Sequence, residues 1–379
     1  MTERLANFAD LYRQPGPWCS AYVDASTGTV DGLETTDVQP DNVRTALEGQ
    51  GASKEDLDAM DGAIQPAKGE PAPISRFVLV RQGEVVLNEL LPGALVGQEI
   101  ISKDEVPNLM PLLKHQPGGF AYVVVEASRD EAEIRLYRAG APDVEESQHV
   151  QGDDDSINKV RVGGWSQARY QRHTEQVWRR NADQVAQEVD QLVREHQAKL
   201  VVLSGDIRAR QLVEDQLSEE SKAVLSTIDA HTLAAGSDRQ KFDDEVNSLV
   251  ARQWAVEQQN LMDRLAEQEG QANPQSATGI GAVVHALQQA QVDVLILDAG
   301  SLADHHLLAL SAEPWVAASE GESLNADVVG KVPAPVALLR AAALTDAQVE
   351  LVPSGALPER VPVAALLRWP TGPEVPAAG

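Results

Sequence analysis

The chain has one cysteine, 4% aromatic residues and no long apolar run. Each shortage excludes something. With Cys19 alone there is no intrachain disulfide and no cysteine-based metal cluster. Scarce aromatics leave the cores to Ala, Val and Leu. The longest apolar runs, such as VVLSG and VLILDAG, are far too short to span a bilayer. The start, MTERLANFADLYRQPG, has no apolar h-region and no small-residue cleavage site. No signal peptide is therefore expected, and the expected location is the cytoplasm, away from membranes. Also missing are GxxxxGK, HExxH and GxSxG. His305 and His306 are adjacent, so they point apart on a helix or strand and make a poor metal pair. The run Asp153-Asp154-Asp155 has no His or Glu close by and reads as a solvated linker. No catalytic residue, metal or cofactor is expected from these patterns.

Positive charge is short as well. Lys and Arg number 31 against 58 Asp and Glu, a net charge of −27. That balance favours solubility and opposes wholesale nucleic-acid binding, DNA included. Any RNA contact must be focal.

What is present is a globular composition, 43% hydrophobic over 379 residues, enough for two or three domains. In the first part, SAYVDAS and SRFVLVRQGEVVLNELLPG read as strands, the second broken by a turn at Gly83. DNVRTALEGQGASKEDLDAMDGAI between them reads as one or two short helices, with Asp41 and Ser53 as candidate caps. Pro117, Gly118 and Gly119 punctuate a boundary. FAYVVVEA and AEIRLYRAG follow as paired strands, KLVVLSGD as a buried strand, and FDDEVNSLVARQWAVEQQNLMDRLAEQEG as a long helix. In the last part, SATGIGAVVHALQQAQVDVLILDAG and PAPVALLRAAALTDAQVELVPSG each read as helix then strand, and VPVAALLRW as a final strand. The GIG string lacks the spacing of a dinucleotide turn; it reads as a helix start whose glycine allows close packing. The fold class is α/β in three domains, 1–117, 118–250 and 251–379.

The segment Lys159 to Gln197, KVRVGGWSQARYQRHTEQVWRRNADQVAQEVDQLVREHQ, stands apart. Trp178, Ala182, Val185, Val189 and Leu192 step by four and three, which places them on one helix face. Ser166 is a candidate N-cap. Between Ser156 and Arg180 there are six basic residues, Lys159, Arg161, Arg169, Arg172, Arg179 and Arg180, and one acid, Glu175. A focal basic surface on an acidic protein fits a polyanion. Cations at a helix start oppose the macrodipole and are better tolerated where phosphates neutralise them. Trp165, next to the glycines, can stack on an unpaired base.

The run GGWSQARYQRHTEQVWRRNADQVAQEV resembles the central-domain signature of the archaeal and eukaryotic class-one release factors and their relative Pelota. In those proteins a Gly-Gly-Gln loop precedes a Ser, an Arg, an aromatic, an Arg and a long helix. Gly163, Gly164, Ser166, Arg169, Tyr170 and Arg172 match in type and spacing. One position departs: Trp165 stands where the hydrolytic Gln belongs, and Gln167 lies two residues further on. No Asn-Ile-Lys-Ser stop-codon motif is present in the first part. The chain is therefore similar to the bacterial branch of the family, the Balon-type ribosome hibernation factors.

The resemblance implies a non-enzymatic factor that occupies the A site of the 70S ribosome as a tRNA or release-factor mimic during stress. It would cover the decoding and peptidyl-transferase centres, with 16S and 23S rRNA as partners and a translation elongation factor as a further one. The residues it assigns to rRNA are Lys159, Arg161, Gly163, Gly164, Trp165, Ser166, Gln167, Arg169, Tyr170, Arg172, Arg179 and Arg180. It also implies a mixed sheet in the central domain and an L7Ae-like third domain. Two alternatives stay open: a peptidyl-tRNA hydrolase or rescue factor using Gln167, and a non-ribosomal RNA- or protein-binding stress module.

Overall fold

A computed structural model describes residues 8–27, 30–70, 72–115, 119–128, 131–140, 144–151, 165–229, 239–271 and 273–370, without the side chains of 30–38, 151 and 165–176. Two compact units emerge: residues 1–118 together with 261–379, and residues 119–260. The architecture is mixed α/β, with several sheets and the helices packed on them.

In the first unit, β1 (Trp18–Asp24), β2 (Ile74–Arg81), β3 (Glu84–Pro92) and β4 (Ile100–Asp104) form an antiparallel sheet of order β3-β2-β1-β4. Alternation along the strands divides their side chains between two faces. Cys19, Ala21, Val23, Val78 and Val80 meet Val43 and Leu47 of α1 (Val30–Gly49) and Leu57 and Met60 of α2 (Lys54–Ala63). Trp18, Tyr22, Phe77 and Leu79 face the other way. Ser53 caps α2 as expected, accepting from the Asp56 amide. Asp41 does not cap a helix: α1 begins at Val30 and continues through Pro40. Asp is favoured at N-caps, which is why Asp41 reads as one in the sequence. A short helix, α3 (Met110–His115), closes this part.

The last part of the same unit carries β10 (Ser276–Thr278), β11 (Val292–Leu297), β15 (Gln348–Leu351) and β16 (Val363–Leu367) in a mixed sheet of order β10-β16-β11-β15. On it pack α8 (Ile280–Gln288) and α9 (Ala334–Leu344). A second sheet, β13-β12-β14, is built from β12 (His306–Leu310), β13 (Val316–Ala317) and β14 (Val328–Pro333). One hydrophobic cluster runs through both parts of the unit, from Phe8, Tyr12 and Trp18 to Val283, Leu295 and Leu338. The GIG glycines act differently from the expectation. Gly279 is the N-cap of α8 at φ +82°, a conformation that favours glycine. A Cβ on Gly281 would meet nothing within 4 Å, so close packing is not its role.

The second unit holds a mixed five-stranded sheet of order β7-β6-β5-β8-β9. Its strands are β5 (Ala121–Ala127), β6 (Glu131–Arg138), β7 (Val144–Gln151), β8 (Leu200–Gly205) and β9 (Leu225–Thr227). β5 pairs antiparallel with β6 and parallel with β8. Along β5, Val123 and Val125 face α4 (Trp165–His196) and α5 (Ile207–Gln216), while Tyr122 and Val124 face Phe242 and Val246 of α7 (Arg239–Glu269). A short helix, α6 (Glu219–Ala223), leads into β9. Among the described residues, no helix is long and apolar enough to cross a membrane.

Candidate nucleic-acid interface

The periodicity of α4 fixes how it lies. Ala182, Val185, Val189 and Leu192 are buried against the sheet, joined by Ala186 and Val193, and Trp178 packs half-buried at the start of the stripe. Arg179 and Arg180 follow at once and are exposed. Among the described residues neither has an ion-pair partner. Two free guanidinium groups on an acidic protein are available to phosphates.

Lys159, Arg161, Gly163 and Gly164 lie outside the described residues. Trp165 is the first residue of α4 and Ser166 the second, so Ser166 sits inside the first turn instead of capping it. Gln167, Arg169, Tyr170 and Arg172 are on the first turns of the same helix; their side chains lie outside the described atoms. Helical geometry still orders the positions. At 3.6 residues per turn, positions 165, 169, 172, 179 and 180 fall within about 100° of one another, to one side of the buried stripe. Position 167 falls instead in line with Trp178 and Ala182. The sequence segment thus places one aromatic and four arginine positions along a single flank of a 32-residue helix.

Beside this helix is a small recess of about 20 Å³, lined by Val150, Trp178, Ala182, Val185 and Leu212 among others. It has room for about one water molecule, too little for an organic substrate. Among the described residues, no group of three or more His, Cys, Asp or Glu could hold a metal.

On the opposite face of the sheet lies a buried ionic cluster. Glu126 of β5 is fully buried and is bonded by Arg135 of β6, with Arg239 of α7 at 3.3 Å. Arg135 also grips Glu133 through Nε and Nη2, each at 2.9 Å. That contact holds the Glu133 carboxyl below its ordinary range. The cluster was missed in the sequence. Its only trace there is a glutamate ending the apolar run of FAYVVVEA.

Residues 121–271 match the family described as Bacterial archaeo-eukaryotic release factor family 2. The middle of the chain is release-factor-like. The match contains the five-stranded sheet, α4 and the arginine flank. Over a longer span the chain is similar to Uncharacterized protein Rv2629 of Mycobacterium tuberculosis, 24% identical over 327 residues, 86% of this chain and 84% of that protein. Among solved structures it aligns with Pelota of Archaeoglobus fulgidus at 18% identity and TM-score 0.33, covering 79% of this chain and 80% of that one. Dom34 of S. cerevisiae, described as a translation termination-like factor, aligns at 10% identity and TM-score 0.37, covering 79% and 81%.

Proposed function

We propose that the protein binds the A site of the 70S ribosome as a release-factor and tRNA mimic, and that it holds idle ribosomes inactive under stress. The observation that carries this reading is the release-factor match over residues 121–271; the sequence resemblance puts Trp165 where the hydrolytic Gln would be. A factor of this design would reach the peptidyl-transferase centre without the group that admits water to the ester. It would block the centre and leave the peptide in place. The arginine flank of α4, with Lys159 and Arg161 ahead of it, would neutralise 23S rRNA phosphates. The first part of the chain would face the decoding region of 16S rRNA. A translation elongation factor is proposed as a further partner, and the cytoplasm as the place of action.

The test is co-sedimentation with vacant 70S ribosomes over a range of salt, followed by cryo-EM of the complex. Stoichiometric pelleting that weakens with salt, and density in the A site, are the expected results. A protein that stays in the supernatant at low salt would be a non-ribosomal module instead.

A further inference from the structure

We propose that a cavity within the unit of residues 1–118 and 261–379, bounded by Tyr12, Glu105, Trp315 and Arg340, binds a small organic carboxylate. The cavity measures about 240 Å³. It is separate from the arginine flank of α4 and does not depend on the ribosomal reading.

The argument starts from a buried charge. Arg340 lies in the middle of α9 and is 4% exposed. Its Nη1 donates to the Trp315 carbonyl at 3.0 Å, and its guanidinium sits 5.6 Å from the centroid of the Trp315 ring. Among the described residues no carboxylate pairs with it. A guanidinium offers five N–H donors in a fixed fork, and one of them is used here. Burial pushes its pKa down to about 10. An unpaired buried cation is costly, so a position this deep is expected to hold an apolar residue unless an anion visits it.

Tyr12 lines the same cavity, but its hydroxyl has no surface open to it and lies beside the Leu109 backbone. A carboxylate would accept from the guanidinium fork. Part of the remaining lining, which also holds Arg13, Gln14 and Ser311, selects among anions. Val106, Pro107 and Val329 present hydrocarbon, and Trp315 an aromatic face, which suit an apolar ligand body. Glu105 also lines the cavity and would repel a dianion more than a monoanion. One wall is rigid: a Cβ on Gly16 would fall 2.6 Å from the Glu105 carbonyl oxygen, so two backbones meet there with no room to spare. At about 240 Å³ the space lies just below the usual range of organic-ligand pockets, roughly 300–1,000 Å³. A small carboxylic acid fits it and a nucleotide does not.

Calorimetry and thermal melting of the full chain with sodium benzoate, and with inorganic phosphate as the comparison, test the proposal. Benzoate should bind at one site and raise the melting temperature. Arg340→Met and Arg340→Lys should each weaken it, the former by at least about tenfold, since removing a buried hydrogen-bonded charge acts at that scale. Circular dichroism checks that Arg340→Met folds. Arg340→Lys, which keeps the charge and loses the planar fork, carries the test if it does not. No heat and no melting shift at millimolar benzoate would overturn the proposal. So would undiminished binding in both variants, or tighter binding of phosphate than of benzoate.

Discussion

The hydroxyl of Tyr22 and Nε2 of His115 lie 2.5 Å apart, joining β1 to the last residue of α3. The other ring nitrogen, Nδ1, faces the Pro92 carbonyl at 3.3 Å. A carbonyl only accepts, so Nδ1 carries the proton and Nε2 accepts from the Tyr22 hydroxyl. The Tyr22 oxygen in turn accepts from the Val96 amide at 2.6 Å. This relay works with a neutral imidazole.

Acidification should therefore loosen the relay. Burial lowers the pKa of His115 below its ordinary value, opposed in part by the Pro92 carbonyl. The unfolded chain thus binds the proton more readily than the folded one. The stabilisation is fully present above the unfolded value, about 6.5, and fades as pH falls below it. Tyr22→Phe should cost about 1 kcal/mol at pH 8 and flatten this part of the profile. Urea midpoints at pH 8 and pH 5.5 measure both effects. An identical pH dependence in wild type and variant would exclude the relay as its source.

A second loss is expected further into acid. Asp298 is 1% exposed and accepts from the Ser301 amide and hydroxyl, the Ser354 hydroxyl and the Gly355 amide, at 2.7–2.9 Å. Burial alone would raise its pKa, but the four donors win and bring it down to about 2. The folded value is depressed, so the contribution is present above about 3.9 and is lost as pH falls toward 2. It amounts to about 2 kcal/mol. Asp298→Ala should destabilise the protein more at pH 7 than at pH 2, by a difference of that order, read from denaturant midpoints.

What the sequence made legible follows from period. The stripe of α4 repeats at 3.6, so its buried face could be named residue by residue; β5 was legible only as a strand, because its apolar run is continuous and both faces are buried. β7, VEESQHVQ, escaped because it is an edge strand with a largely exposed, polar pattern. β4 and β12 escaped because five residues show too little periodicity. The candidate site was half legible. The excess of arginine around Gly163 and Gly164 was visible in composition, and helix geometry adds that four of those arginines share a flank. Arg340 and Glu126 could not be found that way. A buried charge and a solvated one look alike in sequence, and the partners that tell them apart are far along the chain.

The ionic cluster around Glu126 makes a stability prediction with two parts. Removing one member leaves a buried charge, which costs about 3–5 kcal/mol. Arg135→Met should approach that loss, softened by Arg239 at 3.3 Å from Glu126. Replacing Glu126 and Arg135 together with Met should recover most of it, because a buried pair is often matched by apolar residues of similar volume. Urea denaturation of these two variants and of Glu126→Met closes the cycle. A double variant as unstable as the single one would show that the cluster is required for the packing of β5 against β6.

Arg179 and Arg180 separate binding from folding. Both are exposed and without ion-pair partners among the described residues, so alanine there should leave the melting temperature within about 0.5 kcal/mol of equivalent stability. Ribosome affinity should drop, and the slope of log affinity against log salt should fall by about one for each phosphate contact removed. An unchanged slope would take this flank of α4 out of the interface.

Trp165 decides between blocking and hydrolysis. On the proposed reading it takes the position of the release-factor Gln; it stands at the head of α4, and Gln167 follows about 3 Å further along the helix axis, on the side of the buried stripe. Gln167 is thus inside the helix, displaced from the tip where a water would have to be admitted. On ribosomes with peptidyl-tRNA in the P site, the wild-type protein should give only background ester hydrolysis. Trp165→Gln restores Gly-Gly-Gln and should raise hydrolysis above that background if the segment docks as a release factor does. Ribosome pelleting of the same variant shows whether it still docks, because a lost stacking contact of about 1–3 kcal/mol would weaken binding roughly ten- to hundredfold. Fast release by the wild type, abolished in Gln167→Ala, would instead make the protein a hydrolase whose catalytic group sits two residues from its usual place.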